Sequence, residues 1–402
     1  MARTVAGLPA GSRITDYIGL GVIARTFPMT KVRAALEATN KTSIRQRDLP
    51  AHVVVYYVIA LGLYMQSSHR EVLRCLLEGI QWLIDPSVAI KVAGKSGISQ
   101  ARTRLGWEAV RHLHDAVVQP IAVKTTKGAW FRDWRLVSLD GSTMDVADES
   151  GNDAAFGRPG ASRGDSAFPQ IRFVSLVENG TRVLFGSEMT DYHTHEVTLA
   201  RTVLGRLERG MLCLADRQFF GFALWVHAQQ TGADLLWRSK KDRLLPSDKR
   251  LPDGSYLSRI YPSQSDQRRA VNGVVVRVID YRLEGVADAE PRYRLVTTVL
   301  DHEAAPAHEL AALYHERWEI ETALDELKTH LRGARIVLRS KTPDLVRQEF
   351  YGLIMAHFTI RNLIHEVALK ADEDPDRLSF LHAVRVIRRK LATAAAIPPS
   401  ET

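Results

Sequence analysis

The sequence predicts an α/β protein, a mixed-sheet core entered through an all-helical N-terminal segment and left through two C-terminal helices. Three observations predict it. Up to about residue 127, apolar residues recur at helical spacing with little two-residue alternation. From Trp130 onward, a hairpin signal at Asn179-Gly180 is followed by helical stretches alternating with short apolar strands. Between about residues 240 and 301 the texture turns β-rich, and a long helical stretch then returns.

Taken in order, residues 31–38, 52–65, 70–83 and 99–118 are the predicted N-terminal helices. The 52–65 helix is the most apolar, is too short to span a bilayer, and runs at once into Gln66-Ser67-Ser68-His69-Arg70, so it reads as buried. Gly94-Lys95-Ser96-Gly97 reads as a turn, with Ser99 capping the next helix. That helix opens with Arg102 and Arg104 among polar residues and carries Trp107, Val110, Leu113 and Val117 behind them. Such a start suits a helix that reads DNA. It equally suits a surface helix with two solvated arginines.

Residues 135–139 are an apolar run ending at Asp140, and 170–178 and 181–188 are the strands of the hairpin. Helix returns over 195–208, a short buried strand over 211–215 ends at Asp216, and 219–230 and 234–239 are helix and strand. Within the β-rich stretch, 274–281 and 293–300 are strands, with turns at Asp253-Gly254 and Asn272-Gly273. Residues 309–331 read as one helix, and 343–369 and 376–392 close the chain. Five segments result: 1–127, 128–239, 240–305, 306–342 and 343–402.

At 402 residues and 45% hydrophobic, the chain can bury a large core. Its formal charge of +8 favours a polyanionic partner, nucleic acid first. Cys75 and Cys213 form no CxxC pair, which argues against a disulfide framework or a cysteine-zinc cluster. No long apolar run marks the first residues, so a cytoplasmic, nucleoid-associated protein without a membrane partner is expected.

The chemistry concentrates in Tyr314, Arg317, Glu321 and Lys328. On a regular helix these four fall within an arc of roughly 60°. Leu313, Ile320, Leu324, Leu327 and Leu331 form an apolar stripe about a quarter-turn away that would seat the helix. Asp140 and Asp216 each follow a predicted strand, the place where α/β sheets build their sites. Two strand-end aspartates and a helix-borne glutamate form an all-oxygen set suited to hard divalent cations. Plainer readings stand beside this one. Asp140 before Gly141-Ser142 is also a turn former, and Asp216 also a helix cap. Arg317 and Glu321 are also a routine i,i+4 pair, and Asp325 rivals Glu321. His193 and His195 lie in a stretch that reads better as surface loop and helix start than as a metal site.

These residues resemble the DDE transposases of bacterial insertion sequences, in particular the insertion-sequence-four family. Its Tyr-x2-Arg-x3-Glu-x6-Lys signature is matched by Tyr314, Arg317, Glu321 and Lys328 without a gap. The likeness extends to Leu139-Asp140-Gly141-Ser142, to Leu214-Ala215-Asp216-Arg217 with Phe219, and to the stretch 337–343. Residues 15–105, with Ser99-Gln100-Ala101-Arg102, resemble that family's N-terminal domain. The resemblance implies a ribonuclease H-like core with a β-rich insertion between the second aspartate and the glutamate. It implies Mg2+-dependent cleavage at inverted-repeat ends, then joining of the 3′-hydroxyl to target DNA, with Mn2+ open as a substitute. Asp140 would bridge two ions, and Asp216 and Glu321 would each hold one. Tyr314, Arg317 and Lys328 would contact phosphates, Trp318 would stack on an unpaired base, and a homodimer would bridge two DNA ends. The competing expectations are a DNA-binding protein of transposase origin that lacks the chemistry, and a metal-dependent nuclease without strand transfer.

Overall fold

The computed structural model describes residues 15–43, 49–84, 93–161, 164–240, 243–282, 290–333 and 336–390. The N-terminal helices are α1 (Thr15–Thr26), α2 (Met29–Ala38), α3 (Ala51–Leu63), α4 (His69–Ile84), α5 (Lys95–Leu105) and α6 (Glu108–Val117). There follow β1 (Trp134–Asp145), α7 (Ser150–Phe156), β2 (Gln170–Glu178), β3 (Val183–Asp191), α8 (Glu196–Leu204), β4 (Met211–Ala215), α9 (Phe222–Gln229) and β5 (Asp234–Arg238). The β-rich stretch supplies β6 (Lys249–Arg250), β7 (Tyr256–Ile260), α10 (Gln264–Arg269), β8 (Val274–Tyr281) and β9 (Tyr293–Thr297). The chain closes with α11 (Ala307–Leu313), α12 (Trp318–Asp325), α13 (Pro343–Ala371) and α14 (Phe380–Lys390).

Two compact units result. One gathers residues 1–119, 144–170 and 325–402, and the other 120–143 and 171–324. This grouping differs from the five-part division read along the sequence, because the N-terminal helices share a unit with the C-terminal ones. The reason lies in α3, which is buried from Val53 to Leu63 on every side and so needs neighbours all round. It crosses α13 at two glycines. A Cβ on Gly62 would lie 2.9 Å from the Ala356 side chain, and one on Gly352 would lie 2.6 Å from the Val58 carbonyl oxygen. Only glycine permits that approach.

The helix expected over 99–118 is broken at Gly106, whose φ of 73° lies in the left-handed region. α5 also starts earlier than expected. Gly94 takes the cap position, and Ser99 lies inside the helix. No helix among the described residues is long and apolar enough to cross a membrane.

The second unit is built on one sheet in the order β3-β2-β1-β4-β5-β9-β8-β7-β6. β2 and β3 pair antiparallel across the Asn179-Gly180 loop, where Gly180 takes φ 79°. β1, β4 and β5 run parallel to one another. This 3-2-1-4-5 order is the ribonuclease H-like core. The insertion continues the same sheet, because β9 pairs antiparallel with β5. β4 is buried at all five positions, as a central parallel strand requires. Trp225 of α9 meets Trp237 of β5 edge to face at 5.3 Å.

Candidate active site

Strand register brings the two aspartates together. Parallel pairing sets Leu139 opposite Ala215, so the next residues, Asp140 and Asp216, stand at the same level of adjacent strands. Each accepts the amide that follows it on Oδ1, from Gly141 at 2.8 Å and from Arg217 at 2.6 Å. The plainer readings fail at both positions. Asp140 sits inside β1 rather than in a turn, and the cap of α9 is Gly221 rather than Asp216.

The signature segment is helical throughout, but not one regular helix. α11 tightens into a 3-10 turn over Tyr314–Arg317, relaxes into α12, and widens into a π-helix over Glu326–Gly333. Such changes of winding recur at functional sites. They also mean that a constant 100° per residue misplaces Lys328 relative to the residues before it.

Tyr314 is 7% exposed, packed with Leu212, Leu214 and Leu310. Its hydroxyl donates to the Ala215 carbonyl at 3.1 Å, and burial raises its pKa. This corrects the phosphate contact expected of it: the phenol braces the last residue of β4, next to Asp216. Tyr314→Phe keeps the buried ring and loses one hydrogen bond, about 1 kcal/mol. End cleavage is expected to fall by about tenfold or less with DNA affinity unchanged, checked by cleavage kinetics beside gel-shift titration. A drop in affinity with a smaller salt slope would restore the phosphate role.

Arg317 ties the acids together. Its guanidinium lies 3.0 Å from the Glu321 carboxylate and 3.7 Å from that of Asp140. Burial alone would weaken its charge, but Tyr314, Asp140, Asp216 and Glu321 outweigh that and hold it more firmly protonated than usual. One cation thus senses all three expected acids. For Asp140, burial pushes the carboxyl up to about 6. The Gly141 amide and Arg317 draw it down, and the negative charges of Glu196 and Asp216 push it further up.

As donors, these groups fit a hard divalent cation: all are carboxylate oxygens, and the half-buried Asp140 has surroundings that disfavour its charge. No group of three His, Cys, Asp or Glu among the described residues is arranged as a metal centre, and Arg317 supplies the positive charge between Asp140 and Glu321.

The other expected residues separate. Trp318 is 58% exposed, with the Arg317 guanidinium 5.7 Å from its ring centroid, as a stacking surface would be. Lys328 falls in the first unit, half-buried in the π-helical segment, and burial and Arg332 lower its pKa. Asp325 pairs with His330 at 3.4 Å. Arg104 is exposed at the end of α5. Arg102 is a correction. It is 2% exposed and donates to Gln348 at 2.7 Å and to Ser340 and the Leu345 carbonyl at 3.0 Å, so its guanidinium holds the first unit together and has none of the exposure a DNA contact needs. His193 and His195 are exposed on the loop and helix start. Sequence reasoning missed Glu196, which packs against Gly141 and accepts from Gln218. Its one signal was its place at a strand-to-helix junction.

Residues 17–115 match the family described as insertion element 4 transposase N-terminal, and residues 133–359 match the transposase DDE domain. The chain is similar to transposase InsG for insertion sequence element IS4 of Escherichia coli (strain K12), at 26% identity over 397 residues, 96% of this chain and 84% of that one. InsZ of the same organism is 22% identical over 218 residues, 54% of this chain and 70% of that one. The cryo-EM structure of a piggyBac transposase synaptic complex with hairpin DNA aligns with a TM-score of 0.47 and 11% identity, covering 95% of this chain and 83% of that chain.

Proposed function

Since the chain belongs to the DDE transposases, enzymes that act on DNA, we propose that it cleaves the inverted-repeat ends of its own insertion sequence and joins the freed 3′-hydroxyls to target DNA. The observation that supports this reading is Asp140 and Asp216 at one level of adjacent strands, with Arg317 within ion-pair distance of both Asp140 and Glu321. Asp140, Asp216 and Glu321 are the residues that would hold two divalent ions, Mg2+ or Mn2+, which when bound supply an activated water and stabilise the leaving oxygen.

The chain's own groups do the rest. Tyr314 fixes the end of β4, so that Asp216 is presented at a constant height beside Asp140. Arg317 and Lys328 offer charge to the phosphates of the end, contacts that position DNA without reading its sequence. Trp318 offers an exposed ring to an unpaired base. Arg104 adds a further cation for the duplex. A homodimer holding two ends together completes the reading, in a cytoplasmic, nucleoid-associated protein.

The test is incubation of the protein with Mg2+ and duplexes that carry the terminal repeats flanking its gene. Joined products are expected. Cut but unjoined DNA would remove strand transfer and leave a nuclease, and a mobility shift without cutting would leave a binding protein.

A further inference from the structure

We propose that Glu196 is a positioning residue of the acidic site, holding the backbone after Asp140 and the loop after Asp216 in one register; this rests on the assignment of Asp140 and Asp216 to the site. Glu196 stands in the first turn of α8, where an acid is favoured by the helix dipole. Its side chain is 15% exposed. Oε2 accepts a 2.7 Å hydrogen bond from the Gln218 side chain, two residues past Asp216. Oε1 faces the Arg172 guanidinium of β2 at 3.5 Å. The carboxylate also closes over Gly141, the residue after Asp140: a Cβ there would lie 2.6 Å from the Glu196 carboxyl carbon.

One side chain thus touches three strands' worth of the site. It is anchored by Arg172 of β2, lies on the Asp140 strand and bonds to the loop that leaves β4. Strand register sets the two aspartates at the same level, but the β4 pairing stops at Ala215. Asp216 is followed at once by exposed Arg217 and Gln218. Arg172 is itself fixed, donating to the Tyr192 carbonyl at 3.1 Å and stacking on the Tyr192 ring at 5.0 Å. The contact also explains why glycine follows Asp140, since any side chain at 141 would displace the carboxylate.

The test measures Mn2+ binding to the DNA-free protein by paramagnetic resonance, beside cleavage of end DNA. Residues that orient ligands cost about 10–100-fold in affinity or activity when removed. Glu196→Ala is therefore expected to weaken Mn2+ binding and to lower kcat by about 10–100-fold, with KM for end DNA and the melting temperature little changed. Glu196→Gln, which keeps an oxygen for Gln218 and the same bulk over Gly141, is expected to recover most of the loss. Gly141→Ala is expected to be damaging alone and to add little in the Glu196→Ala background, because the clash is then gone. Should Glu196→Ala not fold, Gln218→Ala removes the same bond from the exposed side and is expected to reproduce the Mn2+ defect. Unchanged Mn2+ binding, or melting and DNA affinity falling in step with cleavage, would overturn the proposal. Asp140→Asn serves as the reference: if it alone weakens Mn2+ binding, only the role of Glu196 fails, and if neither variant does, the metal assignment itself fails.

Discussion

In Asp140→Asn, cleavage of end DNA is expected to fall by about 10³-fold or more, since a metal-held oxygen contributes several kcal/mol at the transition state and each 1.4 kcal/mol is tenfold. The same substitution is expected to make the metal-free protein harder to melt above pH 6. Burial, with help from Glu196 and Asp216, raises the Asp140 carboxyl from 3.8 to about 6. A carboxyl raised on folding binds its proton more tightly in the native state than in the unfolded chain. Stability is then greatest below the unfolded value and falls as pH rises through about 4 to 6, with the full penalty present above 6. A carboxyl displaced that far carries a penalty of about 3 kcal/mol or less. Asparagine cannot ionise, so the penalty disappears, offset in part because Arg317 loses a partner. Melting in a chelator at pH 5 and pH 8 checks this: the variant should gain over the parent at pH 8, with the gap narrowing at pH 5. A variant that cleaves, or one that is weaker than the parent at pH 8, contradicts the assignment. Asp216→Ala and Glu321→Ala should abolish cleavage equally and leave end binding in place.

How far the sequence foretells this depends on how local the deciding physics is. The hairpin at Asn179-Gly180 and the buried strand at residues 211–215 are set by neighbouring residues, and both form as expected. The adjacency of Asp140 and Asp216 follows from two strand ends, although the pairing of Leu139 with Ala215 spans a separation no periodicity reveals. Arg102 shows the opposite case. In its own window it sits at the polar start of a helix, and its partners Ser340 and Gln348 lie more than two hundred residues away. Tyr314 likewise matches a family signature while its hydroxyl serves the Ala215 carbonyl. The winding of the signature segment was also hidden. A 3-10 turn and a π-helix within one helical run depend on what each residue buries, and composition there is ordinary for a helix.

The π-helical segment begins with Glu326, and Arg361→Ala, which removes its partner in α13, is expected to destabilise the first unit by about 3–5 kcal/mol. Glu326 is 3% exposed, and Arg361 and His357 of α13 are fully buried. Arg361 donates twice to the Glu326 carboxylate, once at 2.8 Å through Nε and once through Nη2, and His357 Nε2 lies 3.4 Å from it. Burial would push the Glu326 carboxyl up, but Arg361 and His357 outweigh it and hold the group below its usual range. Removing the guanidinium strands a buried charge, which is why one deletion is so damaging. Replacing both ends by apolar residues, as in Glu326→Leu with Arg361→Met, removes the charge along with its partner and should recover most of the loss. Acid should act on the same cluster. A depressed carboxyl contributes stability above its unfolded value near 4.5 and loses it as pH falls toward its lower native value. His357, lowered by burial from 6.5, adds a penalty below that value, because the unfolded chain takes up a proton that the native state refuses. Urea unfolding of the full chain at pH 7.5, 5 and 3.5 separates the two, the histidine acting already at pH 5 and the carboxylate only below about 4.5. A double variant as weak as Arg361→Ala would show that the pair holds the π-helical turn through its geometry rather than through paired charge.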